Sequence, residues 1–420
     1  MRSILINAYA CSPNMGSEPG MAWNWCANLA VHCELHIITE GEFRKQIEIE
    51  VARLPHGKNM HFYYIPVSED IRRMCWNQGD WRFYKHYKQW QWKTYLFAKE
   101  LCKQRHIDVL HQLNMIGFRE PGYLWKLSKE MKVPFVWGPI GGLKQFPESY
   151  LNGAGLKMNI FMRLKNRINI FQLKYDSRVN KAFEQADLLI SSIPDSYRAI
   201  KKYKGLESIV IPETGCFGVD DSALNGHRFL NDTLTVVWVG KFDFRKRLDI
   251  AIKAIAATDN KRIRLCVYGT GSEEQIMLMK QMVVEAGIDD QIQWMGNVSN
   301  QEVKQAMQNA DIFLFTSISE DTSTVVLEAV SAHLPVICFD TCGMSAVITE
   351  DVGKKVPLTN PSQSVQDFAE QLNSLYYNRE ELQRLSENCK KQKVKLSWEK
   401  KALYMKEKYE ELLSNVSVQE

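Results

Sequence analysis

Glu320 and Glu328 stand eight positions apart in SEDTSTVVLEAVSAHLPVICFD, Ser319 to Asp340, directly behind the apolar run DIFLFT. If that run is a buried strand, Glu320 lies on the loop leaving it and Glu328 two turns into the next helix. The first carboxylate then sits at a strand's carboxyl end, where open parallel sheets bind ligands, and the second can accept both hydroxyls of a ribose. Between them the backbone N–H groups of Thr324 and Val325 begin a helix, where phosphate oxygens are held well. A solvated helix start would also favour acidic residues, but two glutamates at this spacing, followed by LPVICFD, fit a ligand site better.

Cations come next. In VGKFDFRKRLDIAIKAI, Val239 to Ile255, a strand runs into a turn carrying Lys241, Arg245, Lys246 and Arg247 before an amphipathic helix. Such a turn suits a diphosphate leaving group whose negative charge grows as its bond breaks. Arg247 reads more readily as an ordinary surface cation. A third signal is SPNMGSEPG, Ser12 to Gly20, where Gly16 and Gly20 allow close backbone approach and the helix MAWNWCANLA begins at the loop's end. It is not G-x-G-x-x-G, so a nicotinamide dinucleotide is not indicated.

Elements must place these groups. Apolar runs at 3–8, 34–39, 61–66, 109–113, 135–138 and 188–192 alternate with helical patterns. They are followed by runs at 235–240, 264–269, 292–296, 312–316 and 336–340. Strand–helix alternation of this kind predicts parallel sheets with crossover helices. The change from one sheet to the next is expected near IPETGCFG, Ile211 to Gly218. The predicted organisation is a first domain over 1–213, a second over 214–395, and a terminal helix over 396–420 packing back on the first.

Taken in order, Glu320-x7-Glu328, the basic turn after VG, the glycine loop after the first strand and DVLH at Asp108 to His111 resemble glycosyltransferase family 4. VWGPIGG, LHQLNMIGFREPG and FDTCGM resemble a branch of it found in bacterial surface-polysaccharide clusters. The resemblance implies an α/β GT-B fold, two Rossmann-like domains with parallel sheets facing across a cleft. It also implies a retaining hexosyltransferase-like enzyme that needs no metal and no cofactor beyond its nucleotide-diphosphate sugar donor. By position, Glu328 would hold the ribose, Glu320 the sugar hydroxyls, and Lys241 and Lys246 the diphosphate, with Arg245 beside them. Gly16, with Ser17 and Gly20, would bring the first-domain loop to the donor. Asn297 and Val298 would meet the base through their backbone. His111 would contact the sugar. The family's Gly-Phe-Gly after the first glutamate is replaced by Asp321, Thr322 and Ser323, so the sugar pocket is expected to be more polar. His111 lacks the second histidine of the family's His-x-His, and His333 stands where glycine is common.

Composition sets limits. The 420 residues, 45% apolar and 24% charged, suffice for two cores. No apolar run reaches the roughly 20 residues of a membrane span, so a cytoplasmic protein is expected. The ten cysteines lack metal-ligand spacing and read as reduced thiols. Net charge is only +4, yet cations crowd two stretches of the first half. Asn77 to Leu101 mixes lysines with Trp81, Trp90, Trp92 and several tyrosines, and Asn159 to Tyr175 repeats the theme. Both suit an anionic membrane surface at the inner face, or are core helices. Nucleic acid fits less well, since no recognised binding module accompanies the charge. The expected acceptor is a sugar or lipid-linked oligosaccharide. The competing readings are an inverting GT-B transferase or nucleotide-sugar epimerase, for which His111 is the candidate general base, and a non-catalytic GT-B scaffold.

Overall fold

The structure, a computed structural model, describes residues 1–77, 80–151, 154–218, 228–229 and 231–417. Residues 78–79 of the first basic aromatic stretch and the last three of the terminal segment lie outside it.

Two parallel sheets organise the chain. The first contains β1 (Arg2–Ala8), β2 (Cys33–Thr39), β3 (Met60–Tyr64), β4 (Val109–Asn114), β5 (Phe135–Ile140), β6 (Leu188–Ser191) and β7 (Ile209–Val210), in the order β3-β2-β1-β4-β5-β6-β7. The second contains β8 (Leu234–Val239), β9 (Ile263–Tyr268), β10 (Ile292–Gly296), β11 (Ile312–Phe315), β12 (Val336–Phe339) and β13 (Gly353–Val356), in the order β10-β9-β8-β11-β12-β13. Both orders run outward from the first strand and then reverse to its other side, as in Rossmann-like sheets, and each has a switch point beside that strand. β11 (IFLF) and β12 (VICF) are continuous apolar runs because both of their faces are covered, and β4 (VLHQLN) is buried throughout although half of its residues are polar. β7 and β13 were not foreseen. β7 is two residues long, and GKKV in β13 buries its two ends around two half-buried lysines, without an apolar run.

The chain forms two compact units, one of 1–144, 167–213 and 398–420 and one of 145–166 and 214–397. The division is therefore not a single cut at 213/214. Residues 145–166 group with the second unit, through Tyr150 and Phe146 in its core. The helix Trp398–Ser417 groups with the first, burying Trp398, Ala402, Met405 and Tyr409 against the helix Ser17–Leu29 and the first sheet. Among the described residues no helix is long and apolar enough to cross a membrane.

Candidate functional site

In the second unit the switch point lies between β8 and β11, which pair directly, Val236 with Ile312 and Val237 with Phe313. The basic turn leaves β8 and the Glu320 loop leaves β11, so parallel topology delivers both to the same sheet edge. The Asp243 carboxylate shapes the turn, accepting the N–H groups of Arg245 (2.8 Å) and Lys246 (3.1 Å). The turn is then stitched to the end of β11. Ile318 N–H and Thr316 Oγ1 donate to the carbonyls of Arg245 (2.9 Å) and Lys246 (2.8 Å), and Trp238 Nε1 donates to Thr316 Oγ1 (3.0 Å). With both backbones fixed, Lys246 Nζ meets Glu320 Oε1 at 2.7 Å. Ser317 Oγ donates to the same carboxylate oxygen at 3.2 Å. Lysine and glutamate are each about one-fifth exposed, dry enough to strengthen their attraction and open enough to receive a ligand.

The remaining cations separate by role. Arg245 is exposed and pairs with Asp243 at 3.0 Å. Lys241 is exposed and forms no ion pair among the described residues. Arg247, read as a surface cation, is instead buried. It opens the helix Leu248–Ala256 at φ 53°, binds Asp249 at 2.8 Å and lies over the rings of Tyr150 and Phe244.

Thr324 is the first residue of the helix Thr324–Ser331, so Glu328 stands one turn in, not two. The side chain of the N-cap Ser323 makes no capping hydrogen bond, leaving the first N–H groups, those of Thr324 and Val325, to another acceptor. Glu328 lines a cavity of about 200 Å³ with Phe217, Lys304 and Gln308. Burial raises its pKa above the ordinary carboxylate value, while Lys304 and a hydrogen bond from Asn300 oppose that shift. Asn300 begins the helix that follows Asn297 and Val298, which leave the edge strand β10 exposed and half-buried respectively. That helix thus links the expected base and ribose positions. Asn300, Lys304 and Gln308 were missed, although their i, i+4, i+8 spacing puts them on one helical face.

In the first unit the loop after β1 borders a cavity of about 470 Å³ whose walls include Met15, Gly16, Ser17, Glu18, Glu42 and Trp76. Gly16 faces open space, whereas a Cβ on Gly20 would lie 1.9 Å from the Met15 carbonyl. Gly20 is buried, and its lack of a side chain lets the loop fold onto the helix start. Ser17, at φ 54°, holds the loop tip in a left-handed turn. Trp76 Nε1 donates to Glu42 at 2.9 Å, fixing an aromatic ring beside a carboxylate.

His111 is enclosed by its own fold. It is fully buried, with Nε2 2.7 Å from the Gly138 carbonyl and Nδ1 2.6 Å from Tyr409 Oη. A carbonyl only accepts, so Nε2 carries the proton and Nδ1 accepts from the tyrosine. Burial lowers its pKa to about 4. The imidazole is neutral and occupied on both sides, which leaves no lone pair for a substrate proton.

The two basic aromatic stretches part company. In the helix Phe83–Gln104, Phe83, Tyr87, Trp90 and Tyr95 are buried in the first unit's core. The helix Leu156–Tyr175 instead exposes most of its large apolar side chains.

Two Rossmann-like units, with phosphate-compatible groups and carboxylates at a switch point, define the GT-B fold class. Residues 221–392 match the model of the family described as glycosyl transferases group 1. Among curated proteins, the Arabidopsis thaliana sulfoquinovosyl transferase SQD2 is 28% identical over 164 residues, 39% of this chain and 30% of that protein. The putative teichuronic acid biosynthesis glycosyltransferase TuaC of Bacillus subtilis is 25% identical over 218 residues, 48% of this chain and 51% of that one. The chain thus spans about half or less of the length of these relatives. The solved structure of Anabaena HepE in complex with UDP is similar over 99% of this chain and 100% of its own, with a TM-score of 0.62 at 13% identity. At that identity the likeness concerns the fold.

Proposed function

We propose that this chain is a retaining glycosyltransferase that uses a nucleotide-diphosphate sugar and transfers the sugar to an acceptor hydroxyl, on a lipid-linked oligosaccharide in cell-surface polysaccharide synthesis. The observation that carries the reading is the Lys246–Glu320 pair at 2.7 Å on the switch point of the second sheet. A cation for the departing diphosphate and a carboxylate for the sugar hydroxyls are placed side by side. Glu328, one turn into the next helix, supplies the ribose acceptor, and the neighbouring Asn297 and Val298 supply backbone groups for the base. The UDP complex of the HepE neighbour and the group 1 match over the second unit support a nucleotide donor.

In the proposed reaction the bond from the sugar's anomeric carbon to the diphosphate oxygen breaks and the electron pair leaves with the diphosphate. Lys246, Lys241 and the N–H groups at Thr324 and Val325 receive that charge, which is greatest in the transition state. The acceptor oxygen attacks from the face the diphosphate vacates, and its proton passes to the leaving phosphate oxygen. No protein base takes part. The engagement of both His111 nitrogens supports this route over an inverting transferase or an epimerase, each of which requires a placed base. The cavity beside Gly16, with its carboxylates and fixed Trp76 ring, suits the hydroxyls and flat face of an acceptor sugar.

The test is to measure thermal shifts with UDP-, GDP- and ADP-sugars, since a ligand of the native state raises its stability, and then to follow hydrolysis of the stabilising donor by NMR. Release of sugar with its anomeric configuration kept is expected. Absence of any stabilising nucleotide sugar would reject the transferase, and inverted product would reject retention.

A further inference from the structure

The helix Leu156–Tyr175 contains no Asp or Glu and carries Lys157, Arg163, Lys165, Arg167 and Lys174. Its inward face is narrow: Met162, Asn166, Asn169 and Leu173, at i, i+4, i+7 and i+11, are the buried positions. Asn166 is bonded in both directions to the Phe146 backbone, at 2.9 and 3.0 Å, and Arg119 Nε donates to Gln172 at 2.9 Å. These contacts fix the helix's rotation about its axis. At about 100° per residue the opposite face is formed by Leu156, Ile160, Leu164, Ile168, Phe171 and Tyr175. All six point outward, between 44% and 78% exposed.

A soluble helix normally turns polar residues outward and apolar ones inward. Here the apolar strip faces away from the protein, and cations border it. Arg163, Arg167 and Lys174 fall along one edge and Lys165 along the other. This is the arrangement of a helix lying in a membrane interface, with its strip in the acyl boundary and its cations among anionic headgroups. Arg163 pairs with Glu148 at 3.0 Å, but the helix itself carries no acid, so pairing with a second copy would still set two cation-bordered strips against each other.

We propose that the outer face of the helix Leu156–Tyr175 docks the protein on an anionic bilayer surface. The aromatic helix Phe83–Gln104 is not assigned this role, because Phe83, Tyr87, Trp90 and Tyr95 commit one of its faces to the core. The inference stands apart from the transferase reading, since none of these side chains belongs to the donor site.

The test uses the full chain and sedimentation with phosphatidylcholine vesicles, with and without phosphatidylglycerol. Salt-sensitive binding is expected only when the anionic lipid is present. Leu164→Glu with Phe171→Glu, and separately Arg163→Glu, Lys165→Glu and Arg167→Glu together, should each lower partition by at least about tenfold. Melting temperature and donor hydrolysis should be unchanged. A conservative Leu164→Trp variant should show a blue-shifted emission on anionic vesicles, a readout independent of the charge-introducing changes. Binding that survives both sets of substitutions, or a Leu164→Trp spectrum that does not shift, overturns the proposal. A concentration-dependent dimer that the same substitutions dissolve, without vesicle binding, would also overturn it by assigning the strip to a second copy.

Discussion

Tyr409 Oη lies 2.6 Å from His111 Nδ1 and joins the terminal helix to the middle of β4. With the imidazole neutral and Nε2 protonated, the tyrosine hydroxyl donates this bond. In the unfolded chain the histidine takes up a proton near pH 6.5, whereas in the folded state it does so only at about 4. Between those values the unfolded state binds more protons, so stability is fully present above pH 6.5 and is lost as pH falls towards 4. The whole shift corresponds to on the order of 3 kcal/mol. Urea midpoints at pH 7 and pH 5 should therefore differ, and His111→Gln should narrow the difference. Tyr409→Phe leaves a buried acceptor without its donor and should cost about 1–3 kcal/mol at pH 7. An unchanged midpoint in Tyr409→Phe would mean that the helix is held by packing alone.

For Lys246→Ala the expected loss is in turnover more than in donor affinity, since the charge it meets grows in the transition state. Glu320→Gln should lower turnover as well. The combined variant should lose less than the sum of the two, because the groups are in direct contact. Steady-state kinetics of the four proteins measure the coupling, and strict additivity would separate the two roles.

Glu328 sets stability against binding. Burial lifts its pKa, so the folded state bears a cost for its charge that is absent at low pH and appears as pH rises through the raised value. Glu328→Gln should raise the melting temperature at neutral pH. Donor binding should weaken by at least about tenfold, as charged hydrogen bonds of roughly 1.5–3 kcal/mol each are replaced by weaker ones. Thermal melts and donor titration together check the pair of effects, and loss of both stability and binding would assign Glu328 to the fold.

Arg247 offers a contrast. Arg247 is buried over two aromatic rings while its partner Asp249 keeps a quarter of its side chain exposed, so removing the arginine should cost somewhat less than the roughly 3–5 kcal/mol of breaking a fully buried pair. Arg247→Ala should shift the denaturation midpoint strongly, while activity per folded molecule falls only as far as the neighbouring turn is disturbed. Normal stability with lost turnover would return Arg247 to the diphosphate.

Much of this was legible in the sequence because parallel sheets announce themselves through apolar runs, and their carboxyl ends locate the loops that matter. Ten of the expected strands lie within two residues of those found at each end, and Ile292–Gly296 coincides with its strand. What escaped depended on direction rather than on residue type. His111 sits in a strand where adjacent side chains face opposite sides, and only the return of the terminal helix shows that its side is closed. Arg247 differs from Lys246 by one position, yet its left-handed φ turns it inward. His333 likewise adopts φ 53°, which explains why glycine is common there. The two basic aromatic stretches have similar compositions, and only their buried faces tell them apart.

The division of the chain into units has a consequence for biosynthesis. Vectorial synthesis releases residues 1–213 before 214–397, but the apolar surface around Trp25 and Cys26 is completed by Trp398, Met405 and Tyr409, which leave the ribosome only after those residues. Throughout translation of the second unit the first is therefore a nascent intermediate with an uncovered hydrophobic groove. A fragment ending at 213 should behave like that intermediate, binding a hydrophobic dye and aggregating, and a separately supplied 398–420 peptide should restore its solubility.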